Sequence, residues 1–347
     1  MGQRQGTTIY DIAKELRISA ATVSRALKDH ARISEKTKVL VREAAARMGY
    51  EPNVMASSLR TGRANSLGVV VSHVNRFFHS NVIGGIEEVA NEMGHTIIIC
   101  QSHESEAKEA ECINTLLAAR VAGILITVSK ETRRWEHLQK VLDWGVPLVF
   151  FDRAVEYLPA SSVVIDDYQG AYQMVSHMVE QGCRRIAHFG GPDFINIYRN
   201  RRRGYRQALL DHGLEPRPDF QFDDVLTMEI GQRNMETVMG LADRPDAIFC
   251  ASDYSALGVL LYCKERGIRV PEEMCLSGFA NEPFTQLTTP SISTVEQFAA
   301  QQGSQAAQLL LSQINQKEQS YTPQRVVLPP QLLIRDSTLR QGQKKEG

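Results

Sequence analysis

The hydrophobic positions near the N-terminus recur at helical spacing in three short runs separated by polar breaks. The first run predicts a helix that buries Ile9, Ile12, Ala13 and Leu16. A turn at Arg17 and Ile18 leads to a second helix, capped by Ser19, that buries Val23, Ala26 and Leu27. A third helix, capped by Ser34 and ended by Gly49, carries the apolar stripe Val39, Leu40, Ala44, Ala45 and Met48. Three such helices can close a small core.

The second predicted helix leaves its outer face to small, polar and basic side chains. Those expected to point outward are Ala20, Ala21, Ser24, Arg25 and Lys28. Two short helices joined by a tight turn are typical of a helix-turn-helix DNA reader, whose second helix enters the major groove. The pattern alone also fits a small helical hairpin with an ordinary solvated face.

From residue 64 onward, β-branched runs alternate with amphipathic helical patterns. Strands are predicted at 67–71, 96–99, 123–126 and 147–151, and a second series follows the polar stretch 156–162 with strands at 185–189, 247–250 and 274–279. Near-continuous apolar strands separated by helices indicate parallel sheets covered on both faces. Two similar α/β halves are therefore expected, and the cleft between them is the default small-molecule site.

The charge distribution separates the N-terminal part from the rest. Residues 1–63 carry 12 Lys and Arg against 6 Asp and Glu, whereas the remaining residues carry 27 against 34. A basic segment of this size suits binding to a polyanion, and an acidic remainder argues against general affinity for nucleic acid. DNA contacts are therefore expected only from the first part.

Two other classes of protein were weighed against these patterns. A nucleotide-binding α/β enzyme would need a glycine loop after a strand, but Gly190-Gly191-Pro192 matches neither phosphate-binding pattern and no nucleophile-elbow motif occurs. A free periplasmic sugar-binding protein would need a signal peptide, and residues 1–6 are polar. We expect a non-enzymatic cytoplasmic protein without a cofactor or a membrane partner. The six cysteines, which lack metal-ligand spacing, are expected to be reduced, and no metal site is predicted.

The first 63 residues resemble the headpiece and hinge of the LacI/GalR family of bacterial transcriptional regulators. The resemblance is carried by residues 8–13, 22–25 and 49–53. It implies a sequence-specific transcriptional regulator, a repressor by the family's usual outcome, that binds a palindromic operator as a homodimer and responds to a small effector. A sugar-binding protein without a regulatory role and a nucleotide-binding enzyme are the alternatives.

The same resemblance implies which residues contact DNA. They are Thr8, Tyr10, Ser19, Ala20, Ala21, Thr22, Ser24, Arg25, Lys28, Asn53, Ala56 and Leu59. Ala20 and Ala21 offer only methyl contacts to bases, so hydrogen-bonded discrimination is expected from Arg25 against a guanine. Leu59 matches the family's apolar wedge, which enters the minor groove and kinks it. Without the resemblance, Leu59 is one apolar residue in a linker.

From about residue 66, the chain resembles the type I periplasmic sugar-binding proteins, as the effector domain of the family does. Matched effector-binding positions are Asn75, Phe77, Phe78, Asp152, Arg153, Arg199, Ser252, Asp253, Ala280 and Gln297. Ala280 stands where the family usually has Asp. Losing that carboxylate beside two arginines predicts a more positive cleft and a sugar acid as effector. The alternative is a neutral sugar, with Asn281 or Glu282 replacing the missing contact.

The predicted fold is α/β: an all-α helix-turn-helix headpiece followed by a two-subdomain, periplasmic-binding-protein-like (type I) effector domain with parallel sheets. The domain boundaries are expected at 1–51 for the headpiece, 52–64 for a hinge helix or linker, and 65–340 for the effector-binding and dimerisation domain. Within the last, the first subdomain is expected at about 65–162 plus 295–328. The second is expected at about 163–294 plus 329–340.

Overall fold

A computed structural model describes residues 7–27, 29–50, 65–224, 226–315 and 322–340. They fall into two compact units divided between residues 64 and 65. The first unit is helical, and the second combines parallel sheets with helices. The predicted hinge, 52–64, lies outside the described residues.

The first unit is a helix-turn-helix followed by a third helix. Helix α1 spans Ile9–Leu16, α2 Ala20–Leu27 and α3 Glu35–Arg47. Thr8 and Asp11 cap α1 reciprocally, and Ser19 Oγ accepts the amide proton of Thr22 at 3.1 Å, so the starts of both helices have side-chain partners for their free amides. Arg17 ends α1 in the left-handed region at φ 55°.

The small core of this unit forms where the three helices meet. It is built on Ile12, Ala13, Val23, Ala26, Val41, Ala44 and Ala45. The predicted stripe of α3 is wrong in its first turns, because Val39 is 44% and Leu40 is 48% exposed. Val41 is the buried residue instead, since it shares a face with Ala44 and Ala45 at the i, i+3, i+4 spacing of a helix.

The first half of the second unit is a six-stranded parallel sheet with helices on both faces. Its elements are β1 Ser66–Val71, α4 Phe77–Glu92, β2 Thr96–Gln101, α5 Glu106–Ala118, β3 Gly123–Ile126, α6 Glu136–Asp143, β4 Leu148–Phe151, β5 Ser161–Ile165, and later α11 Ala299–Asn315 and β11 Arg325–Leu328. The strand order is β11-β5-β4-β3-β1-β2. One apolar cluster packs on each face of this sheet.

The second half has a four-stranded parallel sheet in the order β7-β6-β8-β9. Its elements are α7 Asp167–Glu180, β6 Ile186–Gly190, α8 Asn196–Asp211, β7 Gln221–Asp223, α9 Met228–Met239, β8 Ala247–Cys250, α10 Asp253–Glu265 and β9 Cys275–Ser277. An antiparallel ribbon of β10 Thr294–Glu296 and β12 Gln331–Leu333 packs against α7. The predicted fold class is therefore confirmed.

Strand β5 was not predicted, and it moves the proposed boundary between the two halves. Val163 pairs with Phe151 of β4, and Ile165 pairs with Leu328 of β11. The expected boundary near 162 cuts through this strand, so the first half extends to residue 165. The short apolar run 163–165 directly follows a polar stretch, which hid it in the sequence pattern.

Glycine allows the backbones of α4 and α11 to approach each other closely. A Cβ at Gly85 would overlap the carbonyl oxygen of Ala300, and a Cβ at Gly303 would overlap that of Val82. Gly84, one residue earlier, has no atom within 4 Å of its Cβ position. Phe78 lies in the first turn of α4, so this helix contact also fixes the position of Phe78 between the two halves of the second unit.

The neighbouring glycines of α4 provide a matched pair of substitutions. Gly84→Ala should stabilise the protein by about 1 kcal/mol, because alanine is the better helix former and meets nothing here. Gly85→Ala should destabilise it by about 1–3 kcal/mol, because the two helices must move apart. Urea unfolding followed by circular dichroism measures both. Equal effects of the two substitutions would contradict the close packing.

Candidate effector-binding cleft and DNA-binding surface

The outer face of α2 presents the side chains that the sequence analysis assigned to DNA. Ser19, Ala21 and Arg25 are exposed, and Ala20, Thr22 and Ser24 are half-buried. Thr8 and Tyr10 are exposed at the start of α1. Some of the hydroxyls also have structural partners, since Ser19 and Thr22 bond to each other at 2.8 Å. Lys28, Asn53, Ala56 and Leu59 lie outside the described residues.

Arg25 differs from Arg42 and Arg47, the two arginines of α3. Arg42 bonds to Asp29, and Arg47 bonds to Glu15, both on the α3 side of the unit. The guanidinium of Arg25 has no hydrogen-bond or ion-pair partner within the described part of the chain. Its donors are therefore available to a base edge or a phosphate.

A cavity of about 690 Å³ lies between the two halves of the second unit. Loops that follow the carboxyl ends of the strands line it from both sides. Six of the predicted effector residues line it, namely Phe78, Asp152, Arg153, Ser252, Ala280 and Gln297. We call this cavity the cleft. Its volume suits a small ligand of one or two rings.

Arg153 is held in the wall of the cleft by a bidentate ion pair. Its Nη1 and Nη2 donate to the two carboxylate oxygens of Glu104 at 2.7 and 3.2 Å, and Nη2 also lies 3.4 Å from Ser72 Oγ. Burial alone would raise the pKa of Glu104, but the charge and hydrogen bonds of Arg153 lower it to about 2. The pair is thus ionised at neutral pH, and its two charges cancel.

Arg201, not Arg199, is the arginine that reaches the cleft from the second half. Arg201 is 3% exposed, and its Nε donates to Asp167 Oδ1 at 2.7 Å. Its Nη1 donates to the carbonyl oxygen of Ala251 at 2.7 Å, and its guanidinium lies 3.7 Å from the ring centre of Phe279. Arg199 points to the other side of α8, where it pairs with Glu156.

Three other predicted effector residues do not line the cleft. Asn75 is exposed outside it, and Phe77, 45% exposed, lines a separate groove beside Phe298. Asp253 is fully buried behind the wall, where its carboxylate accepts the Glu282 amide at 2.8 Å and the Thr294 hydroxyl at 2.7 Å. It therefore shapes the loop that carries Glu282.

Acidic side chains line the cleft beside the basic ones, so the expectation of a more positive cleft stays a prediction. The cations that line it are Arg76, Lys130, Arg153 and Arg201, and the carboxyl groups are Glu104, Glu131, Asp152, Glu229 and Glu282. Burial, followed by the nearby charge of Arg153, lowers the pKa of His79 to about 3, so this histidine adds no positive charge. The missing carboxylate at Ala280 is thus compensated by other acidic groups.

Glu282 is the carboxyl group that can replace the one missing at position 280. It is 6% exposed, lines the cleft, and its carboxyl group has no hydrogen-bond partner among the described residues. Asn281, the other candidate, is committed elsewhere: its amide donates to Glu296 at 2.6 Å and accepts from Arg335 at 2.8 Å. Glu282 is therefore free to bond to a ligand.

Two side chains connect the halves at the edge of the cleft. The guanidinium of Arg76, which precedes α4, lies 4.7 Å from the ring centre of Tyr254 in α10. The charge of Arg76 also acts on Glu282 from across the cleft. This cation–π contact stabilises the arrangement of the two halves seen here.

The sequence reasoning missed Arg201, Glu104 and Tyr254, and one of these could have been found. Arg201 falls on the buried stripe of α8 with Tyr198 and Tyr205, at the spacing i, i+3, i+7, whereas Arg199 is off that stripe. Helical phase therefore distinguishes the two arginines. Glu104 lies in a turn and Tyr254 in the first turn of α10, and the position of both relative to the cleft depends on the tertiary fold.

Three further properties concern the described residues only. No group of three or more His, Cys, Asp or Glu side chains there is arranged to hold a metal ion. None of the described helices combines the length and apolar character needed to cross a membrane. Four of the cysteines are buried, and Cys100 and Cys112 are half-buried.

The two arginines of α8 give a matched test of the cleft. Arg201→Met should lower the free energy of unfolding by about 3–5 kcal/mol, because it leaves Asp167 buried without its partner. Arg199→Met removes a half-exposed pair and should cost about 0–1 kcal/mol. Urea unfolding near pH 8, where Asp167 is ionised when unfolded, measures the difference. A larger loss of unfolding free energy for Arg199→Met than for Arg201→Met would contradict the assignment of Arg201 as the buried arginine of the cleft.

Comparisons with known proteins agree with both units. Residues 8–53 match the model of bacterial regulatory proteins of the lacI family, and residues 175–338 match that of a periplasmic binding protein-like domain. The chain is 30% identical over 335 residues to the HTH-type transcriptional regulator DegA of Bacillus subtilis (strain 168), covering 96% of this chain and 98% of DegA.

Two solved structures share the fold along nearly the whole chain. The transcriptional regulator CelR in complex with cellobiose has a TM-score of 0.73 at 27% identity, covering 95% of this chain and 99% of CelR. The lac repressor dimer bound to operator and an anti-inducer has a TM-score of 0.85 at 24% identity, covering 97% of this chain and 100% of that one. The resemblance drawn from the sequence is confirmed: the chain belongs to the lacI family of bacterial regulatory proteins and is a DNA-binding transcriptional regulator, not an enzyme.

Proposed function

We propose that this regulator binds a two-fold symmetric operator as a homodimer and acts as a cytoplasmic repressor whose DNA affinity depends on a neutral sugar in the cleft. Two features of the same chain support the proposal: the guanidinium of Arg25 is exposed on α2, and both halves of the second unit line a cavity of ligand size. The first feature can bind DNA, and the second can bind a small effector.

Base readout is assigned to α2. The exposed Ala21 and half-buried Ala20 allow close approach and methyl contact with thymine, while Arg25 supplies the hydrogen bonds that select a guanine. Thr8, Tyr10, Ser19, Thr22 and Ser24 surround them and are assigned to the phosphates. Lys28, Asn53, Ala56 and Leu59, including the minor-groove wedge at Leu59, complete the proposed DNA contacts.

A dimer is supported by symmetry and by an exposed strand. A helix-turn-helix reads one half-site, so a palindromic operator calls for two copies related by a two-fold axis. The lac repressor, which shares the fold, is a dimer on its operator. In this chain β2 is the edge of the six-stranded sheet, and Ile98 and Ile99 are 36% and 42% exposed there. An apolar edge of this kind favours burial against a second subunit.

The cleft favours a neutral polyhydroxylated ligand over a sugar acid. Arg153 and Arg201 are both paired with buried or half-buried carboxylates, so neither presents an unmatched positive charge. Glu282 adds a free carboxyl group that accepts hydrogen bonds from hydroxyls, and Phe78 supplies an apolar surface for a sugar ring. CelR, a relative of the same fold, was solved with cellobiose.

Ligand and DNA would be coupled through the arrangement of the two halves. A ligand that contacts both walls of the cleft stabilises one relative position of the halves, as the contact between Arg76 and Tyr254 already does. Coupling of this kind is typically about 1–3 kcal/mol and acts reciprocally on both ligands. A sugar that alters operator affinity must therefore have its own affinity altered by the operator to the same extent.

The decisive experiment selects duplexes from random DNA and then tests one matched pair of variants on the selected site. Arg25→Met should weaken binding to that site by about 1–3 kcal/mol per half-site, with a much smaller effect on random duplex. Arg47→Met removes the same charge from a guanidinium that bonds to Glu15 and serves as the control. Fluorescence anisotropy at fixed salt measures both.

The same assay tests the effector. Adding a panel of neutral mono- and disaccharides should shift the binding midpoint for the selected site, by up to about 150-fold for coupling at the upper end of the usual range. The proposal fails if Arg25→Met and Arg47→Met weaken both duplexes alike. Its effector part fails if sugar acids, and no neutral sugar, shift the midpoint.

Glu282 gives the protein a distinctive pH dependence. Burial, together with the charge of Asp253, raises its pKa from 4.5 to about 7, against the opposing charge of Arg76. The folded state therefore binds more protons than the unfolded state between these values, so stability falls as pH rises through this window. Glu282→Gln lacks the group, and its melting temperature should exceed that of the wild type increasingly from about pH 5 to about pH 8. Melting curves at several pH values measure this difference, and a constant difference would contradict the burial of an unpaired carboxyl group.

A further inference from the structure

A second cavity, of about 270 Å³, lies in the second unit beside the cleft. Loops that follow β3 and β4 form its walls on the side of the first half, and the start of α8 forms its wall on the side of the second. The side chains that define it are Arg133, Trp135, Glu156, Tyr157, Phe194 and Arg199. We call it the aromatic chamber.

Asn196 separates the aromatic chamber from the cleft. Its amide oxygen accepts the Ala154 amide proton at 3.1 Å, and its Nδ2 donates to the carbonyl oxygen of Asp152 at 3.2 Å. These bonds hold the backbone on both sides of Arg153, and Asn196 is only 3% exposed. Asp152 and Arg153 face the cleft, whereas Ala154 faces the chamber. A ligand in the chamber is therefore distinct from a ligand in the cleft.

Three aromatic rings are exposed around the chamber. Trp135 is 40%, Tyr157 80% and Phe194 38% exposed. The rings of Trp135 and Tyr157 lie 6.1 Å apart at an interplanar angle of 32°, and the guanidinium of Arg133 stacks 4.1 Å from the centre of Phe194. Large exposed aromatic rings that converge on one concavity indicate a binding surface, because burying them against a ligand is favourable.

The polar groups of the chamber lie at its rim. Glu156 bonds to Arg199 and accepts from Arg325 at 3.1 Å, so a carboxylate and a guanidinium stand side by side. In the floor, the hydroxyls of Ser129 and Thr132 are already bonded to Ser102 and Glu109, at 2.9 and 3.0 Å. A ligand would therefore form hydrogen bonds with Glu156 and Arg199 at the rim and would stack on the aromatic rings.

This combination fits one sugar ring. The C–H face of a pyranose packs on aromatic rings, while its vicinal hydroxyls both donate to a carboxylate and accept from a guanidinium. The chamber is smaller than the roughly 300–1,000 Å³ typical of pockets for drug-sized ligands, so it holds a single ring. Because Glu156 pairs with both Arg199 and Arg325, the rim offers charged donors and a charged acceptor to the hydroxyls of one ring.

We propose that the aromatic chamber is a second saccharide site, which binds one pyranose ring separately from the effector in the cleft. Because its walls come from both halves, a ring bound there bridges them. It thereby stabilises one relative position of the halves and is coupled to the occupancy of the cleft. Trp135 and Phe194 form the stacking surface, and Glu156 and Arg199 select the hydroxyl pattern.

The chain offers a direct reporter for this site. Its two tryptophans are Trp135 and Trp144, and Trp144 is 61% exposed and stacks only with Lys140 at 5.4 Å among the described residues. Trp144→Phe therefore leaves Trp135 as the single tryptophan. This protein is titrated with glucose, galactose, maltose, lactose and cellobiose, and the emission of Trp135 is recorded. At least one of these sugars should change the emission saturably.

Substitutions in the two cavities then locate the sugar. In the Trp144→Phe background, Phe194→Ala and Tyr157→Ala should weaken the response at least tenfold, and both replace exposed rings whose loss leaves the core intact. Phe78→Ala, which alters the cleft, should change it less than twofold. The proposal is overturned if none of the five sugars gives a saturable response, or if Phe78→Ala abolishes it as fully as Phe194→Ala does. The latter result would place the ring in the cleft and leave the effector proposal standing.

Discussion

The buried guanidinium of Arg201 is the interaction on which the architecture of the cleft depends. It joins Asp167 at the start of α7, the carbonyl of Ala251 after β8, and the ring of Phe279 after β9. Three separate segments of the second half thus meet on one side chain of α8. A buried charge is tolerated only with its full set of partners, so these segments are held in one arrangement. The glycine at 204 supports the same contact, because a Cβ there would overlap the carbonyl oxygen of Tyr168 in α7.

The same constraint decides the chemistry of the cleft. Arginines in a binding site attract anions only when their charge is not already neutralised, and here Arg153 and Arg201 each have a carboxylate partner of their own. What they offer a ligand is therefore the geometry of their remaining donors, which suits hydroxyl oxygens. Glu282 complements them as an acceptor, and its raised pKa follows from a position that is buried and lacks a cationic partner in direct contact. Balanced charges and a mixture of donors and acceptors are what a neutral polyhydroxylated ligand requires.

The sequence predicted well what depends on local pattern and poorly what depends on phase or on distant segments. The second and third helices have the predicted caps at Ser19 and Ser34, and seven strands of the two sheets lie on the predicted apolar runs, whereas β5, β7 and β11 were not predicted. In contrast, the stripe of α3 was predicted on Val39 and Leu40, and the cleft arginine at Arg199 instead of Arg201; both errors are errors of helical phase. The acidic groups of the cleft differ in how far the sequence predicts them. Glu104 lies in a turn that approaches Arg153 only in the folded chain, whereas Glu282 is two residues from position 280 and could be named from the sequence as a replacement for the missing carboxylate.

The connection between the two halves carries a further physical argument. Phe298 follows β10, where the chain passes from the second half to the first, and Ala280 and Asn281 hydrogen-bond to β10. All three have positive φ, at 53°, 134° and 55°. None is glycine, so each conformation costs free energy and must be held by its surroundings. The carboxylate of Glu296 provides part of that support, because it accepts the side-chain amide of Asn281 at 2.6 Å and the backbone amide of Phe298 at 2.7 Å. Ala280 itself lines the cleft, and its own amide bonds to Val295 in β10. A ligand that touches this strained backbone therefore acts directly on the segment that joins the halves, which gives a small molecule a route to change their relative position.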